Sequence, residues 1–342
     1  MNHYKLAFIG FGNVGKALAR LLLQKQDEIR SQYGITFSTT GITTGRHGSA
    51  INPDGIDLES VLDLLNADGS LQDLSKLPQI QDASNFLQHC DANVLFENTP
   101  VNYANGQPAL DHLKVALELG MHAITANKGP VVHAYRQLSE LAVSKDRKFL
   151  FESTVMDGAP IFSLFRTALP AARVRAFQGI LNSTTNLILC RMETGESFHQ
   201  AVAFAQSIGI AETDPSGDIE GWDAAIKVAC LVNVLMGIPL KPDQVARQGI
   251  RQISPSDLAQ AQAQGKRWKL VCSASNENGV VQAQVKPEMI GPDSPMFNIE
   301  GTTSIVQFES DVLGLLSIIE SDPGPHTTAY GLLADFLNAV RP

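Results

Sequence analysis

The 342-residue sequence has no apolar run long enough and free enough of charge to span a bilayer as a helix, which excludes a helical membrane protein. It has no run of basic residues, and its formal net charge is −9, so nucleic acid is not an expected partner. Cysteine is scarce: Cys90, Cys190, Cys230 and Cys272 lie far apart with no CxxC pairing. That spacing excludes a disulfide framework and a zinc ribbon, and it suits reduced thiols in the cytoplasm. The opening MNHYKLAFIGFGNVG lacks the layout of a secretory leader, so the expected location is cytoplasmic. No internal repeat or low-complexity tract is present. What remains is a chain with 44% hydrophobic residues, as in soluble globular proteins, and too long for one core. Two domains are expected, residues 1–140 and 141–305, with residues 306–342 returning to complete the first.

The first domain reads as alternating strands and helices. KLAFI, residues 5–9, is a short buried strand; GFGNVG follows, and KALARLLLQKQDEI is an amphipathic helix. A glycine-rich run between strand and helix is the context in which GxGxxG binds a dinucleotide. Gly10 permits the tight turn, Gly12 lets the backbone approach a pyrophosphate, and Gly15 lets helix and strand pack closely. Phe11, Asn13 and Val14 fill out the loop, whose helix N-terminus faces the phosphates. A second strand is expected over 35–44. NAD-specific sites place an acid at its end to hold the ribose 2′-hydroxyl. This sequence has Thr43, Thr44, Gly45, Arg46 and His47 instead, and Arg46 can accept a 2′-phosphate, which favours NADP over NAD. Residues 50–85 read as loop and helix. VLFEN, 94–98, is a strand ending at Thr99 and Pro100, and MHAITANKGPV is another ending at Lys128. Ligands bind beyond the carboxyl ends of parallel strands, which places these three at the cofactor crevice.

The stretch AETDPSGDIEGWDAAIKVA, 211–229, is organised differently. Glu212, Asp214 and Asp218 stand in a loop broken by Pro215 and Gly217. A helix follows, with Trp222, Ala225, Ile226 and Ala229 on one face. Asp223 and Lys227 are one turn apart on that helix. A loop of carboxylates leading to a lysine held by an aspartate can grip a small zwitterion and move a proton beside it. The plain alternative is a solvated i,i+4 pair behind an acid-rich helix start. Elsewhere in this half, strands are expected at 174–181, 268–275 and 280–286. Asn182 and Ser183 cap a helix, and a last helix starts at Thr327.

Taken together, GFGNVG, TANKGPV, ESTVMDGAPI, GILNSTTNLIL, the acidic stretch and GPHTTAYGLLADF resemble homoserine dehydrogenase over nearly the whole length. The resemblance implies an α/β fold: an N-terminal Rossmann domain and a second, catalytic α/β domain with a mixed sheet. It implies NAD(P)-dependent interconversion of L-homoserine and L-aspartate 4-semialdehyde, in threonine, isoleucine and methionine synthesis. By position, Lys227 matches the proton-transferring lysine and Asp218 the acid beside it, while Glu212 and Asp223 match substrate-binding acids. Lys128 matches a lysine shared by cofactor and substrate; Gly209 and Gly324 match glycines on the nicotinamide side. Glu152, with the carbonyls of Val155, Asp157 and Ala159, matches a monovalent-cation site, usually sodium. VMDG replaces a more glycine-rich string there, and NSTTN replaces the commoner NGTTN. The resemblance further implies a homodimer. Some relatives carry a C-terminal regulatory domain or an N-terminal aspartate kinase; neither is recognisable here, so little inhibition by threonine at a separate site is expected. The competing readings are a dehydrogenase of another small amino alcohol or semialdehyde, and a dinucleotide-binding regulator without chemistry.

Overall fold

The computed structural model describes residues 1–77, 80 and 82–341, in two units: Met1–Pro160 with Gly324–Pro342, and Ile161–Pro323. The first unit begins with strand β1 (Asn2–Ile9), helix α1 (Asn13–Tyr33), β2 (Ile35–Thr44), β3 (Gly48–Ile56), α2 (Leu58–Asn66) and α3 (Ala83–His89). It continues with β4 (Val94–Glu97), α4 (Ala109–Glu118), β5 (His122–Thr125), α5 (Lys128–Ser144) and β6 (Phe149–Leu150). The sheet order is β3-β2-β1-β4-β5-β6, and the strands from β2 to β6 run parallel. Their buried, β-branched and aromatic residues suit a sheet covered on both faces.

Residues 48–56 are a strand, where loop and helix were expected from residue 50 onward. β3 folds back antiparallel on β2 and forms the sheet's edge, the one place where Pro53 costs no ladder hydrogen bond.

The second unit contains β7 (Val174–Ile180), α6 (Ser183–Glu193), α7 (Phe198–Ser207), α8 (Ser216–Ile219) and α9 (Trp222–Leu231). After these come β8 (Ala246–Arg247), α10 (Pro255–Ala263), β9 (Arg267–Glu277), β10 (Val280–Ile290), β11 (Ser304–Ser310) and β12 (Gly314–Glu320). The sheet order is β12-β11-β7-β9-β10-β8; all ladders are antiparallel except β8 with β10, so the sheet is mixed. The chain then returns to the first unit as α11 (Pro325–Val340). Phe336 of α11 meets Tyr4, Phe37 and Phe96 edge-on at 6.1–6.2 Å, closing the aromatic core over that sheet.

The unit boundaries differ from those expected. Residue 140 lies inside α5, and the strand that follows, β6, bonds to β5, so the first unit runs on to Pro160. Residue 306 lies inside β11, which is bonded to β7 and β12 in the second sheet; the return starts at Gly324. In both places the backbone ladder decides where the division falls. Among the described residues, no helix is long and apolar enough to cross a membrane.

Candidate active site

In the first unit the glycine turn is built from backbone. Gly10 has φ +86°, and a Cβ there would stand 2.6 Å from the Asn98 carbonyl oxygen and 2.7 Å from its carbon, so only glycine fits. The Gly10 amide donates to the Thr43 carbonyl at 2.9 Å, tying the turn to the end of β2. A Cβ on Gly15 would reach the Gly10 carbonyl at 3.1 Å, which is the close packing of helix on turn. At Gly12 a Cβ would meet nothing within 4 Å. Gly12 caps α1 without any side-chain bond, and the first turn, with Asn13 and Val14, carries no acid. The orphan amides of this helix start are therefore open to an anion. Phe11 is buried beside Phe8. These features fit the pyrophosphate of a dinucleotide.

The neighbouring strand ends are pinned by hydrogen bonds. Thr43 Oγ1 shares a 2.6 Å bond with Ser49, and the Thr44 hydroxyl accepts from the His47 amide at 2.8 Å. Arg46 is exposed in the β2–β3 turn and pairs with Asp68 at 3.1 Å. Asp68 occupies the left-handed region at φ +57°. The Thr99 hydroxyl donates to the fully buried Glu97. Asn127 caps α5 and donates to the carbonyls of Thr99 and Pro100 at 3.0 and 3.3 Å, holding β4's exit against the start of α5 at Lys128.

The ESTVMDG turn lies against α11 in the same unit. Glu152 is buried, and its amide donates to Asp335 at 2.7 Å; Ser153 donates to the Thr328 carbonyl at 2.7 Å. Asp157, at φ +35°, accepts from the Thr327 hydroxyl. The contact is close enough to require Gly158 and Gly331: a Cβ on the first would stand 2.5 Å from the Thr327 carbonyl oxygen, and one on the second 3.0 Å from that of Asp157. Val155 and Ala159 are buried in this turn. A carboxylate and carbonyl oxygens are hard donors, the class that suits a monovalent cation. Gly324 precedes α11 in an extended conformation, and its carbonyl accepts from the hydroxyls of Thr327 and Thr328.

In the second unit the site is built from side chains. Helix α9 is buried nearly all round, and the residues it leaves part-exposed are Trp222, Asp223 and Lys227. Lys227 Nζ donates to the Leu181 carbonyl at 2.7 Å and pairs with Asp223 Oδ2 at 3.0 Å. The two side chains are 15% and 13% exposed, so this is not a solvated surface pair. Asn182 caps α6 by accepting from the Thr185 amide, and its Nδ2 donates to Asp218 Oδ1 at 2.6 Å and Asp223 Oδ2 at 3.0 Å. One asparagine thus fastens two like-charged carboxylates beside a lysine. Burial pushes the Asp218 carboxyl above its ordinary range, with the charge of Asp223 next in importance; the bond from Asn182 and the nearness of Lys227 pull it back.

The other loop acids stand apart from this cluster. Glu212 is exposed, and its carbonyl accepts from Gln206. Asp214 is exposed and bonds the Ser216 amide at 3.1 Å, which holds its carboxyl below the usual range. Gly209 closes α7 at φ +74°. Asn182 and the Leu181 carbonyl are the members that sequence reading undervalued. The NSTTN motif read as a cap, and a cap it is, but the same amide also binds two acids that lie 36 and 41 residues away.

Comparison with known proteins bears on both units. Residues 10–152 match the family described as homoserine dehydrogenase, NAD binding domain, and residues 160–337 match the family described as homoserine dehydrogenase. A NAD(+)-dependent homoserine dehydrogenase of Pseudomonas canavaninivorans is 35% identical, covering 99% of this chain and 96% of its own. A homoserine dehydrogenase of Methanocaldococcus jannaschii is 33% identical, covering 97% of each. A hyperthermophilic archaeal homoserine dehydrogenase in complex with NADPH superposes with a TM-score of 0.83 at 27% identity, over 99% of this chain and 98% of that one.

Proposed function

Since the chain belongs to the homoserine dehydrogenase family, and so to the NAD(P)-dependent oxidoreductases acting on CH–OH groups, we propose that Lys227 carries the proton of the reaction and that Asp218, Asp223 and Asn182 set its position. The observation that carries this reading is the hold on the Lys227 amine: one carbonyl at 2.7 Å and one carboxylate at 3.0 Å on a largely buried helix face. A nicotinamide cofactor held at the glycine turn would supply the hydride acceptor for oxidation of the alcohol carbon, or the hydride donor for the reverse reaction. Lys227 accepts the hydroxyl proton in oxidation and donates it in reduction, since without that transfer a protonated carbonyl would have to form. Asp223 and the exposed Glu212 are suited to the substrate ammonium by charge-assisted hydrogen bonds. Asp214 and Gly209 belong to the loop that carries Glu212, while Lys128, at the start of α5, and Gly324, ahead of α11, are assigned to the cofactor.

The test is oxidation of L-homoserine followed by the absorbance of reduced nicotinamide. Lys227→Ala should lower kcat by about 10²–10⁴-fold and keep cofactor affinity. Turnover at the parent rate in a folded Lys227→Ala protein would return the pair to a structural role. Turnover of a different amino alcohol in preference to homoserine would move the substrate but not the chemistry. Absence of any turnover with tight dinucleotide binding would favour a regulator.

Three finer points belong to the same proposal. NADP is accepted in preference to NAD, with Arg46 turned from Asp68 to the 2′-phosphate. Glu152 and the carbonyls of Val155, Asp157 and Ala159 hold sodium or a similar ion; a Tm that rises with sodium chloride but not with choline chloride checks this. The chain forms a homodimer through the second unit's sheet. The support is an open groove of about 630 Å³ on that sheet in which Glu309 is the one charged lining residue. Val280, Leu315 and Ile319 are also exposed on its strands, at 67%, 66% and 57%. Sedimentation as a monomer at micromolar concentration would overturn the dimer.

A further inference from the structure

The second unit carries a second titratable cluster, two helical turns along α6 from Asn182. Residues 182, 186 and 190 are spaced four apart and share one face of the helix start. Asn182 serves the carboxylates already described. Asn186 Oδ1 accepts from Lys269 Nζ at 3.0 Å, and Cys190 Sγ accepts from the same Nζ at 3.6 Å. Lys269 is completely buried, and its third hydrogen goes to the Ile299 carbonyl. All three ammonium donors are thus assigned, and the sulfur is the only one of the three acceptors that can itself become an anion. The nearby carboxylates of Glu193 and Glu300 are engaged by Arg267, whose Nη2 also donates to Cys190 Sγ, at 3.7 Å.

Burial pushes the Lys269 amine below the ordinary lysine range. Cys190 lines a cavity of about 550 Å³ together with Lys266, Arg267, Phe297 and Glu300. The other cysteines are enclosed: Cys90, Cys230 and Cys272 are buried, and burial pushes the thiols of Cys90 and Cys272 up to about 12. A part-exposed cysteine whose sulfur accepts from two cationic donors is the setting in which thiols react.

We propose that Cys190 is an oxidation site for small hydroperoxides, with Lys269 and Arg267 as the groups that hold and discharge the sulfur. Cys190 Sγ attacks the terminal oxygen of the peroxide; an S–O bond forms as the O–O bond breaks. Sulfur loses two electrons to the departing oxygen, and the thiol proton, passed through Lys269 Nζ, reaches that oxygen to release water or an alcohol. The product is a sulfenic acid, reversible by a thiol.

The experiment uses the full chain, hydrogen peroxide as oxidant and dimedone as the trap, with peptide mass spectrometry locating the adduct. One adduct per chain is expected, on Cys190, formed roughly tenfold faster in the folded protein than in the same protein unfolded in urea. Lys269→Met should lower the folded rate to the unfolded one, and Cys190→Ser should remove the adduct. Labelling spread over all four cysteines, or slower labelling of Cys190 in the folded protein, would overturn the proposal. The folded-to-unfolded ratio needs no variant, so it decides the matter even where Lys269→Met does not fold.

Discussion

The glycine turn of the first unit and the acid–lysine cluster of the second solve opposite problems. The turn presents main-chain amides to an anion, and it works by keeping side chains out; Gly10 is dictated by the Asn98 carbonyl just past β4, and Gly15 by the Gly10 carbonyl. The cluster presents side chains from three separate segments, and it works by forcing Asp218 and Asp223 together under Asn182 next to Lys227. The first is set by main-chain contacts with the ends of β2 and β4; the second is set by side chains, once the fold has brought residues 181–182 to α8 and α9. A backbone site should therefore be sensitive to added atoms, and a side-chain site to changed charge.

The sharpest way to separate the two is at Lys227. Lys227→Arg retains the positive charge but not a removable proton, so kcat should fall by about the same 10²–10⁴-fold as in Lys227→Ala, with cofactor affinity kept. Recovery of most of the parent rate in the arginine variant would mean that charge alone is what the cluster supplies.

The turn is tested by a pair of alanines. Gly10→Ala places a Cβ against the Asn98 carbonyl at a left-handed backbone and should cost about 2 kcal/mol of stability or more. Gly12→Ala meets no protein atom within 4 Å, so Tm should be unchanged while dinucleotide affinity falls by about tenfold. Equal losses of stability in both would show that Gly12 serves the fold and not the ligand. Calorimetric unfolding and cofactor titration read the two quantities separately.

Asp218 tests the cost of assembling like charges. Its folded-state pKa is raised above 3.8, so folding opposes its ionisation. Any stability tied to this group is fully present below the unfolded value and is lost as pH rises through the folded one. Asp218→Asn should therefore gain about 1 kcal/mol near pH 7, a gain that shrinks towards pH 4, and should lose turnover. A gain independent of pH would point to repacking, not charge.

The smallest effect is expected at the β2–β3 turn. The Arg46–Asp68 pair is exposed and worth about 0–1 kcal/mol. Asp68→Asn should leave stability alone and raise affinity for NADP relative to NAD, and Arg46→Ala should do the reverse. A strong preference for NAD, untouched by either change, would remove Arg46 from cofactor selection.

The same contrast explains what was legible in the sequence. β2 over residues 35–44, and the strand and helix on either side of GxGxxG, follow from hydrophobic period and local turn chemistry, and they stand as expected. β3 is hidden in the sequence by Pro53 and Gly55, residues that an edge strand tolerates. β11 and β12 left no mark strong enough to be read, since their pairing partners are more than a hundred residues away or solvent-facing on one side. The Asp223–Lys227 pair was visible as an i,i+4 spacing, but its burial and its partner Leu181 belong to the tertiary fold. Glu212 and Asp214 are as acidic in sequence as Asp218; nothing in spacing alone foretold that burial would single out the last.

The return of α11 to the first unit has a consequence for the order in which the protein is made. Ala329, Leu332 and Phe336 complete the core that Phe8 and Phe96 begin. A ribosome extends a chain at about 5–20 residues per second, so the first sheet waits on the order of tens of seconds for its cover. During that interval the second unit is synthesised whole and is free to fold, while the glycine turn stands on a sheet whose face carries α1 and α2 but not yet α11. The nascent first unit is therefore the stretch that most needs a chaperone, and release of the last helix from the exit tunnel, not completion of the glycine turn, is the event that should first confer dinucleotide binding.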